Sequence, residues 1–211
     1  LTYPNPEEFA AFMAGWDPSA SPLAFDIETP YSGAKDENMS FDEDPSFTIP
    51  MVSLAVEPHR AVSIPWSAPF DEMCQRYLGS AERSLVWNAP FDVPRLEANG
   101  VDFEGEVIDA MLAWHWLEPS LPMGLKFVAP FYCPEMPAWK LEQERNMAWY
   151  NAADSDTLLR CFLGIESELR DQGRWEVFER HFLEYGKLLR KMGRRGVLVD
   201  QESRREDSAK F

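Results

Sequence analysis

Apolar and polar positions alternate in a way that divides the chain into two halves. Pro22–Glu28 is apolar up to its final acids and predicts a strand. Met51–Val56 and Ala61–Ile64 predict two more strands, joined by a short turn at Pro58-His59. Ser84–Trp87 and Val107–Ile108 predict shorter strands. Between and around them, helical spacing predicts helices at Pro6–Ala14, Phe70–Leu78, Phe91–Ala98 and Asp109–Leu117. Beyond these, helices are expected over 123–132, 143–170 and 174–193, followed by an extended piece at Gly196–Asp200. Asn5-Pro6-Glu7-Glu8 carries the signals of a helix start: a capping side chain, an early proline and acids near the positive end of the dipole. Residues 30–50 are polar, acidic and interrupted by prolines, which predicts a long surface loop. Strands in the first half and helices in the second imply an α/β fold: a mixed sheet flanked by helices, with a helical C-terminal extension.

Composition narrows the picture. The chain has 211 residues, 45% of them hydrophobic, enough for one α/β domain with a helical appendage. No apolar run reaches the roughly 20 residues needed to cross a bilayer, and no basic-then-apolar leader opens the chain. A protein without a membrane partner, located in the cytoplasm of a bacterial or phage-infected cell, is expected. Cys74, Cys133 and Cys161 form no close pair, so neither a zinc site nor a disulfide frame is expected. The net charge of −16 opposes nucleic-acid binding, which favours a basic footprint. Two routes remove that conflict: carboxylates holding divalent cations reverse the local field, or an attached domain delivers the nucleic acid.

Three short segments carry the candidate chemistry. Asp26 and Glu28 are two apart on a strand, so both carboxylates project from one face at the end of an otherwise apolar strand. A lone Asp-x-Glu is weak evidence, since Asp102-Phe103-Glu104 repeats it just after an Asn-Gly turn. Asn88-Ala89-Pro90-Phe91-Asp92 follows a strand and opens a helix, with Asn88 available as a cap and Asp92 in the first turn. Strand-to-helix turns line the ligand crevice of open α/β sheets, so Asp92 is expected to meet the first pair there. In Tyr150-Asn151-Ala152-Ala153-Asp154, the phenol and carboxylate lie four apart and share a helix face. Converging carboxylates repel one another unless cations sit among them. Two metals can activate a water, orient a phosphate and stabilise the leaving oxygen.

These residues, in this order and about sixty residues apart, resemble the DnaQ-like 3′→5′ exonuclease superfamily, whose fold is ribonuclease H-like. Phe25-Asp26-Ile27-Glu28-Thr29 resembles its first motif, Asn88 through Asp92 the second, and Tyr150 with Asp154 the third, in its tyrosine subgroup. The histidine subgroup places a His where this chain has Trp149. Asp109-Ala110-Met111-Leu112 with Leu125, Asp154-Ser155-Asp156, and Leu188–Met192 through Gly196–Asp200 resemble the proofreading domain of family A DNA polymerases. The resemblance implies two divalent cations, Mg2+ or Mn2+, held by Asp26, Glu28, Asp92 and Asp154. It implies that Tyr150 and Glu28 orient the attacking water, and that Asn88 and Thr29 meet the substrate. The expected partners are a single-stranded DNA 3′ end and a polymerase domain in cis or in trans. The expected products are nucleoside 5′-monophosphates. The expected organisation is an exonuclease domain over 1–170 and a helical junction over 171–211. Two rivals share these features: a ribonuclease D-type 3′→5′ exoribonuclease, and a non-catalytic nucleic-acid-binding scaffold of the same fold.

Overall fold

Five apolar segments that are too short for helices line up as one sheet in the computed structural model, which describes residues 1–29, 49–208 and 210. The acidic stretch 30–48, most of the expected loop, lies outside the described residues. The strands are β1 (Leu23–Glu28), β2 (Met51–Glu57), β3 (Arg60–Pro65), β4 (Arg83–Val86) and β5 (Glu106–Asp109), in the spatial order β3-β2-β1-β4-β5. β1 pairs antiparallel with β2 and parallel with β4, so the sheet is mixed. Its register sets Asp26 opposite Ser53 and Glu28 opposite Met51. The β2–β3 turn at His59 takes a positive φ of 66°.

Strand alternation sorts the core into two layers. Leu23, Phe25 and Ile27 of β1 face α1 (Pro6–Met13), α2 (Phe70–Ser80) and α3 (Ala89–Ala98), together with Val52, Leu54 and Val62. Ala24 faces the other way, into a layer with Leu85, Ile108 and the helices α4 (Ala110–Leu117), α5 (Leu125–Tyr132) and α6 (Met147–Asp171). Asp26 and Glu28, in phase with Ala24, therefore project toward the α6 side.

Several helix boundaries follow local chemistry. Asn5 and Glu8 form a reciprocal capping box at the start of α1, with hydrogen bonds of 2.8 and 2.9 Å. Asn146 caps α6 by accepting from Trp149 N, so that helix starts at Met147 rather than at 143. A one-turn 3-10 helix, Trp139–Leu141, precedes it. The helix expected over 174–193 is interrupted: α7 (Trp175–Val177) passes through a π-helical segment, Phe178–Leu183, into α8 (Glu184–Arg195). Trp175, Phe178 and Leu183 bury themselves in the same core layer as α4, α5 and α6. Gly196–Asp200 joins no sheet strand, and a helix not foreseen, α9 (Gln201–Ser208), follows it. No helix among the described residues is long and apolar enough to cross a membrane.

Candidate metal centre

β1 outruns its parallel neighbour. Pairing with β4 ends at Ala24↔Leu85, whereas pairing with β2 continues to Glu28. The tip of β1 is thus open on one side, and its acids stand at the rim of the sheet. α6 crosses that rim because small side chains let it approach. Ser53 Oγ donates to the Asn151 carbonyl and Ser63 Oγ to Asn151 Oδ1, each at 2.8 Å. Asn151 is fully buried and turns its amide toward Asp26, donating from Nδ2 to Asp26 Oδ2 at 3.1 Å.

This packing brings Asp154, on α6, to the β1 pair. One carboxylate oxygen from each of Asp26, Glu28 and Asp154 lies within 4.8 Å of the others, close enough for these three to hold a metal ion. Glu28 Oε1 is buried and has no hydrogen-bond partner. A buried acceptor left without a donor is costly, so an oxygen-liganded cation fits this donor set.

Asp92 stands beside this group rather than inside it. It lies in the first turn of α3 and is buried. The backbone N–H of Ile27, at the open side of β1, faces it and works against the effect of burial on its carboxyl. Asp92 nevertheless lies close enough to Asp26 that its charge pushes the Asp26 carboxyl up.

The turn before α3 differs from its expected form. Asn88 has a left-handed φ of 75°, and its side chain makes no capping bond. The capping is done from β5 instead. Buried Asp109 accepts from Asn88 N at 3.1 Å, from Ala89 N at 2.9 Å and from Met111 N at 3.0 Å. One carboxylate thereby fixes the turn that carries Asp92 and starts α4 as well. Thr29 follows β1 directly and is partly exposed.

The electrostatics are those of crowded acids. Burial, then the charges of Asp154, Asp92 and Glu28, push the Asp26 carboxyl well above the usual range. Burial and Asp154 push Glu28 up to about 7, against the opposing pull of Lys140 and the Asn151 hydrogen bond. Burial pushes Asp92 up to about 8, although the Ile27 N–H and Arg95 oppose it. Burial and the neighbouring carboxylates also raise the Tyr150 phenol, which keeps it protonated and a donor.

Two residues at the centre were not foreseen. Trp139 Nε1 donates to Asp154 Oδ1 at 2.8 Å, and Lys140 Nζ lies 2.6 and 2.8 Å from the two Asp154 oxygens and 2.9 Å from the Tyr150 hydroxyl. Neither belongs to a periodic segment, so no local pattern marks them. Asn151 carried a faint signal, as a polar residue between Tyr150 and two alanines.

No known family model matches this sequence, and no curated protein matches it. Solved structures do. A complex of the POL domain of Pol1 from M. smegmatis with DNA primer-template and dNTP is similar with a TM-score of 0.69 and 16% identity over 94% of this chain. This chain spans only 32% of that one. Brucella melitensis NrnC bound to pGG is similar at a TM-score of 0.60 and 17% identity, over 95% of each chain. Escherichia coli RNase D, an exoribonuclease involved in structured RNA processing, gives 0.62 and 15% identity over 94% of this chain and 51% of that one. At these identities the shared property is the fold, and this chain has the expected one: a ribonuclease H-like mixed five-stranded sheet flanked by helices, with a helical C-terminal region.

Proposed function

We propose that this protein is a metal-dependent 3′→5′ exonuclease that shortens single-stranded DNA from its 3′ end, releasing nucleoside 5′-monophosphates. The observation that carries this reading is the convergence of Asp26, Glu28 and Asp154, with Asp92 alongside and the Tyr150 hydroxyl at Asp154. Asp26, whose carboxyl is raised by all three other acids, would take part in holding both of two cations, Mg2+ or Mn2+. Glu28 and Asp154 would complete one position and Asp92 the other. Divalent cations held there would supply positive charge for the scissile phosphate and lower the pKa of a water.

The chain's own residues do the positioning. Tyr150, kept a phenol by its raised pKa, holds a water through a hydrogen bond and does not act as a base. The unpartnered Oε1 of Glu28 is an acceptor for a proton of that same water. Asn151 fixes Asp26 from beneath and Trp139 fixes Asp154. Asn88 and Thr29, on the rims of the α3 turn and the β1 tip, are assigned to the terminal nucleotide.

The role assigned is proofreading for a polymerase domain in cis or in trans, with 1–170 as the nuclease domain and 171–211 as the junction. Support for a partner comes from α8, where Tyr185, Leu188, Leu189 and Met192 form an exposed apolar stripe at helical spacing. The likeness to RNase D favours one alternative, a 3′→5′ exoribonuclease of the same chemistry. Matched 5′-labelled DNA and RNA oligonucleotides, digested with Mg2+ or Mn2+, separate the two. The expected result is one-nucleotide shortening from the 3′ end, faster on DNA. Faster shortening of RNA would select the alternative, and no shortening of either would reject the nuclease reading.

A further inference from the structure

Lys140 makes more contacts with the acidic centre than ordinary surface pairing explains. Its ammonium touches both oxygens of Asp154 and the Tyr150 hydroxyl, and it sits 4.7 Å from the centre of the Tyr150 ring and 5.6 Å from that of Trp139. The Asp154 side chain is only 4% exposed and that of Lys140 28%, so the pair is largely shielded from solvent. An ionised carboxylate offers about four lone-pair sites. Trp139 Nε1 takes one on Oδ1 and Lys140 occupies both oxygens. A cation bound by Asp26, Glu28 and Asp154 needs an oxygen of that same Asp154. An ammonium and a divalent ion on one carboxylate repel strongly at such range.

We propose that Lys140 is a resident counter-cation of the metal-free centre, exchanged for the divalent ion when it binds. This rests on the reading of the acidic cluster as a metal centre. With no metal present, Nζ offsets the mutual repulsion of Asp154, Glu28 and Asp26, whose carboxyls feel its charge. When a divalent ion arrives, the ammonium leaves Asp154 for solvent. Lysine suits this exchange, being a point charge on a flexible four-carbon stem. Its backbone belongs to a single 3-10 turn, and the side chain already reaches the surface. Trp139 stays behind to hold Asp154 in place. The exchange lowers the affinity of the centre for metal, and without metal the ammonium offsets the repulsion among its acids.

The test uses the full chain with Mn2+ as the probe. Calorimetric titration of wild type, Lys140→Met, Lys140→Gln and Lys140→Arg should give about tenfold or tighter Mn2+ binding in the Met and Gln variants. The Arg variant should stay near wild type. In EDTA the Met and Gln variants should melt below wild type. A measurement on unaltered protein makes the outcome independent of how the variants fold: reductive methylation of Lys140, followed by mass spectrometry. Lys140 should react slowly in EDTA and several-fold faster with Mn2+, while exposed Lys126 reacts equally in both. Unchanged or weaker Mn2+ binding in the Met and Gln variants, or equal methylation with and without Mn2+, overturns the exchange. If wild type binds Mn2+ and these effects are absent, the metal centre stands and only the exchange fails. If wild type gives no Mn2+ heat, both fail.

Discussion

Asp26 is the residue on which the other site groups depend. It feels the charges of Glu28, Asp92 and Asp154 and accepts the Asn151 amide. Asp26→Ala should therefore abolish cleavage. It should leave the metal-free fold intact, because removing one of several repelling carboxylates relieves repulsion. Nuclease rate beside a thermal melt checks this, and a rate near wild type would remove Asp26 from the centre. Tyr150→Phe should slow cleavage by about 10²–10⁴-fold, less than loss of Asp26, and should scarcely change the melt because the ring still packs. A Phe variant as inactive as Asp26→Ala would show the hydroxyl to be more than a water-holder. That Asp26 and Glu28 share a strand face, and Tyr150 and Asp154 a helix face, was legible in the sequence because strand and helix periods fix which neighbours point together; that these distant segments meet was not. Lys140 and Trp139 were not, because they reach Asp154 through the irregular course of the chain before α6. The Asp109 cap was hidden for a similar reason: it acts on Asn88 and Ala89 across two strands, so the nearer Asn88 was the residue that local reasoning chose.

Among the elements, β1 and α6 define the centre and the loops around them set its shape. Strand positions were readable from apolar alternation, and the start of α1 from its capping box. The interruption after Trp175 was not. Its π-helical segment swings Phe178 and Leu183 into the core, a tertiary demand that leaves no mark in helical propensity. The turn into β5 carries a testable constraint. Gly105 passes against the backbone at the start of β4, where an added Cβ would stand 2.6 Å from Glu82 O and closer still to Ala81 O. Backbone cannot give way as a flexible side chain can, so Gly105→Ala should destabilise the protein by about 1–3 kcal/mol. Urea denaturation measures this. Cleavage at low temperature should persist, since Gly105 sits at the opposite end of β5 from Asp109 and the turn that presents Asp92. An unchanged midpoint would mean the backbone relaxes freely there.

For the molecule as a whole, the acidic balance becomes intelligible once its costliest charges are located. In the metal-free protein, burial raises Asp92 to about 8, and burial together with the charges of neighbouring acids raises Glu28 to about 7 and Asp26 as well. The folded state therefore holds protons that the unfolded chain has already released above about pH 4–5. The stability these groups contribute is complete below that range and is lost as pH rises toward 7–8. Melting of the metal-free protein should fall between pH 5 and 8. Mg2+ or Mn2+ should restore it more at pH 8 than at pH 5, because cations bind the ionised carboxylates. A melt in EDTA that rises across this window would contradict the burial assigned to these acids. The charge sign that opposed nucleic-acid binding in the sequence is thus concentrated in part where cations can reverse it. The rest of the acidic excess includes the stretch 30–48.

As proposed above, the carboxylates of β1, α3 and α6 together would form one metal centre. Anomalous diffraction from crystals soaked in Mn2+ with a nucleoside 5′-monophosphate is the decisive measurement. One manganese peak is expected within reach of Asp26, Glu28 and Asp154 and a second on the Asp92 side of Asp26, with Lys140 withdrawn from Asp154 and the nucleotide phosphate at the peaks. Crystals that bind the nucleotide elsewhere, or show no manganese at Asp26 while Lys140 stays on Asp154, would contradict it.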